Sequence, residues 1–352
     1  MKTVFLATLC ALAVAGAALA AQPQDWGDFK ADWLDSAGYE SSQALCRSVR
    51  GREPPAADRP TPDQAAALRG CSSEALYYGI GMPADPERAR LCAFVEESQQ
   101  EENVSPYPFT GRAMLMTIYA NGLGARRDLD VAIHLACGIE GAPAESHGRV
   151  TRLAALRDQR WTGSDFHYCD DVTSGLAGGY CADHGATIAG ARREAEFARL
   201  AARWPVEHRR SFAELRAAHG SYVEARGESE VDLSGTLRAA MQIGAEESLR
   251  DELLDMLRKL EARQAPAFTS AQFRLADASL NAAYRRILRA DQGDGPGAVT
   301  PEGIRRTQRA WLRYRDSFLA FAALRYPEVP RASLAAWLTR QRTELLANPI
   351  EY

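Results

Sequence analysis

Lysine is nearly absent from this 352-residue chain. It occurs only as Lys2, Lys30 and Lys259, and arginine supplies the other 39 of the 42 basic residues. The arginines are scattered among 46 acidic residues and form no run interleaved with aromatic side chains, so the charge pattern does not indicate nucleic-acid binding. Beyond the N-terminus no apolar run approaches the roughly 20 residues that a transmembrane helix needs. We therefore expect neither a nucleic-acid partner nor a transmembrane anchor.

A catalytic constellation is also missing. Gly122 and Gly124 are followed by no Lys-Ser or Lys-Thr pair, so they do not form a phosphate-binding loop. Asp170 and Asp171 are adjacent, and adjacent side chains on a helix or strand point in different directions. Ser174 precedes a glycine but lacks the context of a nucleophile elbow. We predict that the protein is not an enzyme and uses no cofactor.

One cluster leaves an alternative open. His167-x-Cys169 and Cys181-x-x-His184 could supply four zinc ligands, and the protein would then be a zinc-dependent enzyme. The competing interpretation is a disulfide between the two cysteines with the histidines outside it. We favour the disulfide because the cysteine count is typical of an oxidising compartment.

The cysteines all lie within the first 181 residues of the chain. Six remain after the first 20 residues, and residues 269–352 contain none. An even number in an exported chain favours disulfides, but six cysteines allow 15 pairings. The predicted pairs, chosen by short separation and by the helices they would join, are Cys169–Cys181, Cys46–Cys71 and Cys92–Cys137. Cys71–Cys92, within one helical hairpin, is the main rival.

Residues 1–20 have the features of a secretory signal peptide. Lys2 supplies the positive charge, an apolar run extends from Val4, and Ala18-Leu19-Ala20 has the small residues of a cleavage site. We expect a periplasmic or secreted protein.

Residues 21–160 contain an internal repeat. The pattern G-[IL]-G-x-x-x-D-x-x-x-A occurs at residues 79–89 and again, 43 positions later, at residues 122–132. Glycine permits the positive φ at which a first helix ends, and Asp caps a second helix. The predicted flanking helices are Gln64–Tyr78, Glu87–Ser98, Gly111–Ala120 and Leu129–Ile139. These hairpins resemble SEL-like repeats of the tetratricopeptide type, and two copies are expected to pack on neighbouring helices.

Residues 161–187 interrupt the helical pattern with Gly, Ser, Thr and Asp. We predict a loop segment there, closed by the Cys169–Cys181 disulfide. Helical spacing then resumes, and the predicted helices are Ala191–Trp204, Val206–Arg226, Leu233–Ile243 and Glu246–Ala262.

The C-terminal region carries three motifs in order. Residues 276–284 read ADASLNAAY, residues 310–316 read AWLRYRD, and residues 338–345 read LTRQRTEL. The central motif lies on an amphipathic stripe in which Ile304, Trp311 and Phe318 are seven residues apart.

These motifs resemble the LprI-type (lysozyme inhibitor) family, although that family often has cysteines in this module. The resemblance implies a secreted, all-helical domain over residues 269–352 and lysozyme inhibition as one function. Trp311, Tyr314, Arg315 and Asp316 of the central motif are the candidate binding residues. The alternative is a structural role for them in the core of the domain.

Residues 188–262 show a fainter copy of the same pattern. A shift of 96 positions places Leu215 on Trp311 and Tyr222 on Phe318. We predict a degenerate LprI-like helical module there, joined to the second module by a short linker containing Pro266.

The predicted fold is therefore all-α: a short SEL-like helical-hairpin repeat region followed by LprI-type helical modules, stabilised by disulfides. The predicted function is an exported bacterial envelope binding protein without catalytic activity, whose partner is a protein in the cell envelope. The alternative is an inhibitor of lysozyme or another cell-wall lytic enzyme.

Residues 266–352 carry a net charge of +5 and residues 1–190 a net charge of −8, so a basic lysozyme would dock preferentially on the N-terminal half.

Overall fold

The computed structural model describes residues 25–30, 38–100, 107–290 and 295–347. These residues form thirteen α-helices, three short 3-10 helices and no strand, which confirms the all-α prediction. The predicted signal peptide, residues 1–20, lies outside the described residues. None of the helices in the described ranges is long and apolar enough to cross a membrane.

The helices follow one another with short connections. In chain order they are α1 Glu40–Val49, α2 Pro62–Ala67, α3 Ser73–Tyr78, α4 Pro86–Gln100, α5 Gly111–Asn121, α6 Leu129–Cys137, α7 Pro143–Asp158, α8 Gly175–Ala201, α9 Val206–Ser229, α10 Arg238–Glu261, α11 Ser270–Ile287, α12 Pro301–Arg325 and α13 Arg331–Ala347. Their buried apolar side chains form two hydrophobic cores, one between residues 26 and 168 and the other between residues 197 and 346.

The repeated turns of the first half have the same geometry. Gly79 and Gly122 end α3 and α5 in the left-handed region, at φ 72° and 67°. Asp85 then caps α4 by accepting the Arg88 N–H at 3.0 Å, and Asp128 caps α6 in the same way at 3.1 Å from two backbone N–H groups. The glycine and the capping Asp of each copy therefore perform the roles that the repeat predicts.

The predicted helix Gln64–Tyr78 is wrong in one respect, because the structure divides it into α2 and α3. Gly70 lies between them at φ 71°, in the left-handed region that a continuing helix cannot use. Ser72 then caps α3 by accepting the Ala75 N–H at 3.1 Å. Gly70 thus stops one helix and Ser72 caps the next, within three residues.

Two of the predicted disulfides are wrong. The structure joins Cys46 to Cys137 and Cys71 to Cys92, in place of Cys46–Cys71 and Cys92–Cys137. The first bond fixes α1 against α6, although the two cysteines are 91 positions apart, and the second lies inside one hairpin. Cys169 and Cys181 are joined as the local spacing suggests.

The segment at residues 161–187 is only partly a loop. Its first half has little regular structure, but α8 begins at Gly175, so that Cys181 is helical. Ser174 caps this helix, and its N–H and that of Thr173 both donate to the Glu145 carboxylate, at 2.6 and 2.9 Å. Glu145 and Ser174 thereby satisfy helix-terminal donors, which offsets the poor helix propensity of the glycines that follow.

The six C-terminal helices form two sets of three. Within each set the first helix packs on the third, α8 on α10 and α11 on α13, and the central helices α9 and α12 pack on each other. Phe212 of α9 meets Phe321 of α12 at 5.5 Å, whereas near the other end Thr307 donates to the Ala225 carbonyl at 2.9 Å. The central helices are therefore antiparallel. Helix α10 is continuous, although two helices were predicted over the same residues.

A buried ion pair joins the two sets. Arg342 of α13 is 1% exposed, and it donates two hydrogen bonds to the Glu230 carboxylate at 2.6 and 2.7 Å. Its third donor, Nε, is bonded to Gln308 at 3.0 Å. Arg342 belongs to the closing motif of the C-terminal region, and its side chain contacts the residue that follows α9.

Candidate functional site

The first and second C-terminal motifs converge on a groove between α11 and α12. This α11/α12 groove has a volume of about 310 Å³. It is lined by Asp277, Leu280, Asn281, Tyr284, Arg305, Gln308, Arg309, Trp311, Leu312 and Arg315. Four of the lining residues come from the ADASLNAAY motif of α11 and three from the AWLRYRD motif of α12. The motifs therefore describe the two walls of one depression.

On the α12 wall of the groove, Trp311 and Arg315 are stacked on each other. Trp311 is 2% exposed, and the Arg315 guanidinium lies over its indole ring, 5.3 Å from the centroid. Asp316 holds the guanidinium by accepting from Nε and Nη2 at 2.9 and 2.8 Å. The guanidinium is thus oriented by stacking and by hydrogen bonds while the Arg315 side chain stays 22% exposed.

Tyr314 points away from the groove. Its ring stacks on Tyr222 at 5.6 Å and meets His219 at 4.9 Å in the interior between α9 and α12. Burial raises the pKa of Tyr314 well above its usual value, and its hydroxyl has Met256 Sδ at 3.9 Å. The candidate binding set is therefore divided. Tyr314 packs in the core, whereas the other three residues form or support the groove.

The residues that line the groove carry net positive charge, part of which Asp316 offsets through its pair with Arg315. Arg305, Arg309 and Arg315 line it against a single carboxylate, Asp277. Glu302 on the preceding turn lies 3.7 Å from Arg305 and 3.1 Å from Arg309 and reduces that charge at one end. Arg305 and Arg309 were not among the predicted binding residues. Their positions four and three residues apart in the series Arg305, Arg309 and Leu312, which place them on one helix face, were available in the sequence.

The zinc alternative does not fit the cluster at residues 167–184. Both thiols are consumed by the Cys169–Cys181 disulfide, so they cannot act as thiolate ligands. His184 stacks on Phe109 with ring centroids 3.7 Å apart and contacts the Glu74 carboxylate. His167 accepts the Cys169 N–H at 3.2 Å, and burial lowers its pKa. The histidines are packed within the first core and hold no ligand geometry around a common point.

A serine–histidine contact in the first core was not foreseen. Ser42 Oγ lies 2.9 Å from His147 Nδ1, the distance expected of a nucleophile and its base. However, Ser42 is 1% exposed, and its hydroxyl donates to the Tyr39 carbonyl and accepts from Trp26 Nε1, both at 2.9 Å. The hydroxyl proton is thus directed away from His147, and the contact stabilises α1 against α7.

Residues 258–346 match the family model described as Lysozyme inhibitor LprI. The C-terminal region is an LprI-family domain. The match includes the end of α10 and all of α11 and α12, and it ends just before the last residue of α13. No curated protein and no solved structure matches the chain.

The α11/α12 groove lies wholly inside the LprI domain. The family is one of inhibitors, which favours a binding role over catalysis for this part of the chain. The three disulfides lie outside the domain and are typical of proteins beyond the cytoplasm. The resemblance stated from the motifs is confirmed for the LprI domain, whereas the SEL-like character of the first half stays a prediction.

Proposed function

We propose that this chain is an exported envelope protein without catalytic activity whose LprI domain binds and inhibits a lysozyme-type cell-wall lytic enzyme. The observation that supports the proposal is that the motifs of an inhibitor family form the walls of one exposed groove. Binding sites need a few convergent polar groups on a rigid support. Arg315, stacked on Trp311 and bonded to Asp316, meets that description.

The charge of the groove suggests which part of the enzyme it meets. Enzymes that hydrolyse glycosidic bonds typically carry two catalytic carboxylates in the cleft. An arginine fork is suited to bidentate pairing with a carboxylate. We therefore propose that Arg309 and Arg315 approach the acidic cleft of the enzyme, even where the enzyme as a whole is basic.

The N-terminal half has a second role in this proposal. Residues 1–190 carry a net charge of −8, which would attract the basic surface of such an enzyme while the groove meets the cleft.

We further propose that α8–α10 are a diverged copy of the LprI domain. A shift of 96 positions makes Ala225 equivalent to Phe321 and residue 211 equivalent to Thr307. Phe212 contacts Phe321, and Ala225 contacts Thr307, so the two copies contribute nearly equivalent positions to the contact. Such reciprocal contacts are expected of two copies related by a two-fold axis.

Alanine variants on one helix test the groove. Arg315→Ala and Arg309→Ala should each weaken inhibition of muramidase activity about tenfold or more, because each removes a charged partner from the interface. The matched control is Arg313→Ala, an exposed arginine on α12 outside the groove, which should leave inhibition unchanged. Equal loss in all three variants, or no loss in any, would show that the groove is not the inhibitory surface.

A further inference from the structure

Gln308 lines the α11/α12 groove and is held from behind by a buried ion pair. Its side chain is half-buried, and its Oε1 accepts from Arg342 Nε at 3.0 Å. Both terminal nitrogens of Arg342 donate to the Glu230 carboxylate, and both of these side chains are buried. Water does not compete for the contacts behind Gln308, so one end of its amide is fixed to a rigid support.

The contact with Arg342 decides which way the Gln308 amide is turned. A guanidinium nitrogen can only donate a hydrogen bond, so the atom that faces it must be the amide oxygen. The amide Nε2 carries two N–H donors. It makes no hydrogen bond to any described residue, and it is not enclosed by the protein. Gln308 therefore offers the groove an oriented and accessible donor that the chain itself does not use.

Arg315 supplies a second oriented donor on the same face of α12. It follows Gln308 by seven residues, which is two helical turns or about 10 Å along the axis. Asp316 accepts from Nε and Nη2 of Arg315, and Nη1 has no partner among the described residues. Leu312, which is 37% exposed, lies between the two donors in sequence and also lines the groove. The groove thus presents donors on both sides of an apolar residue.

The carboxylates near the groove do not occupy the Gln308 donor. Asp277 accepts from Asn281 Nδ2 at 3.2 Å and has no ion pair with an arginine in the described part of the chain. Glu302 pairs with Arg305 and Arg309 on the preceding turns. The acceptor for Gln308 Nε2 must therefore come from solvent or from another molecule.

We propose that Gln308 is a specificity-determining residue of the inhibitory surface, whose Nε2 donates to a catalytic carboxylate of the lytic enzyme. This inference rests on the proposed function and names the chemical group that the groove recognises. A glycosidase cleft presents two such carboxylates, and a hydrogen bond to a charged acceptor is stronger than one to a neutral acceptor. Arginines attract any anion in the vicinity, whereas a fixed amide N–H requires an acceptor at one position.

The variant Gln308→Glu separates recognition from support. It keeps an oxygen that accepts from Arg342, but it replaces the N–H donor by an acceptor of the same size. The full, oxidised chain should then inhibit at least tenfold more weakly, because two acceptors would face each other. The enzyme is the lysozyme that the parent chain inhibits most strongly among several lysozyme types. The midpoint of urea unfolding should not change, since the contact with Arg342 remains.

The matched control is Arg313→Gln. It changes the net charge of the chain by the same single unit, on an exposed part of α12 outside the groove. Inhibition by this variant should equal that of the parent. A difference between the two variants therefore reports the position of the changed group rather than the total charge.

Amide variants of the enzyme identify the group that Gln308 contacts. Each of the two catalytic carboxyls of the lysozyme is changed to its amide in turn, and binding is measured by calorimetry. One of the two amide enzymes should bind the Gln308→Glu chain at least tenfold more tightly than the unmodified enzyme does, because its new N–H group donates to the introduced carboxylate.

The outcomes distinguish this inference from the proposed function. A parent chain that binds and inhibits no lysozyme overturns both. Where the parent inhibits, the inference alone is overturned by full inhibition from Gln308→Glu or by equal losses in Gln308→Glu and Arg313→Gln. It is also overturned by a loss that is matched by a lower urea midpoint, or by failure of both amide enzymes to restore binding.

Discussion

The buried pair of Arg342 and Glu230 gives the sharpest quantitative prediction. The two side chains are 0% and 7% exposed and are joined at 2.6 Å. Removing one partner leaves the other charge buried without compensation, which typically costs 3–5 kcal/mol. Arg342→Met should therefore lower the free energy of unfolding by about 4 kcal/mol. Replacing both partners, with Arg342→Met and Glu230→Leu, should cost less than either single change, because no uncompensated charge then remains.

The assay is equilibrium unfolding in urea, followed by far-ultraviolet circular dichroism. The control is Arg331→Met, an exposed arginine at the start of α13, which should change the free energy by no more than about 0.5 kcal/mol. A loss below about 1 kcal/mol for Arg342→Met, or single losses that simply add in the double variant, would refute the reasoning. It would mean that the LprI domain does not depend on its contact with the residue after α9.

Two further predictions concern pH and the disulfides. Burial raises the pKa of Glu252 from 4.5 to about 7, so the folded state loses stability as pH rises from about 4.5 through 7. Glu252→Gln should therefore be more stable than the parent by at most about 3 kcal/mol at pH 8 and by much less at pH 5. Equal differences in the free energy of urea unfolding at the two pH values would contradict this. Replacing both Cys46 and Cys137 by serine should lower the free energy of unfolding by about 2–5 kcal/mol, because the bond closes a loop of 91 positions. Non-reducing peptide mapping of the parent should recover these two cysteines in one linked pair, not Cys46 with Cys71.

Local patterns in the sequence predicted the helices and the turns well. A left-handed glycine followed by a capping aspartate is specified within ten residues, which is why the turns at Gly79 and Gly122 follow the repeat. The stripe of α12 is also local, and Trp311 and Phe318 are buried on it as its spacing requires. Burial of one helix face is a property that a single sequence expresses directly.

The break at Gly70, the start of α8 at Gly175 and the continuity of α10 are local errors. The other errors concern contacts between distant segments. The Cys46–Cys137 bond depends on α1 lying beside α6, which no local spacing encodes. The orientation of Tyr314 depends on α9 covering one side of α12, so that Tyr314 enters the core while its neighbour Arg315 stays in the groove. Adjacent helical positions differ by about 100°, and only the packing partner decides which of the two is buried.

The most direct test of the central claim is titration of the mature, oxidised chain into a muramidase assay, with complex formation followed on the same samples by size-exclusion chromatography. The proposed function predicts saturable inhibition of at least one lysozyme type at micromolar concentration, together with a complex that elutes earlier than either protein. Absence of inhibition and of any complex across several lysozyme types would contradict it, and the LprI domain of this chain would then serve a different partner.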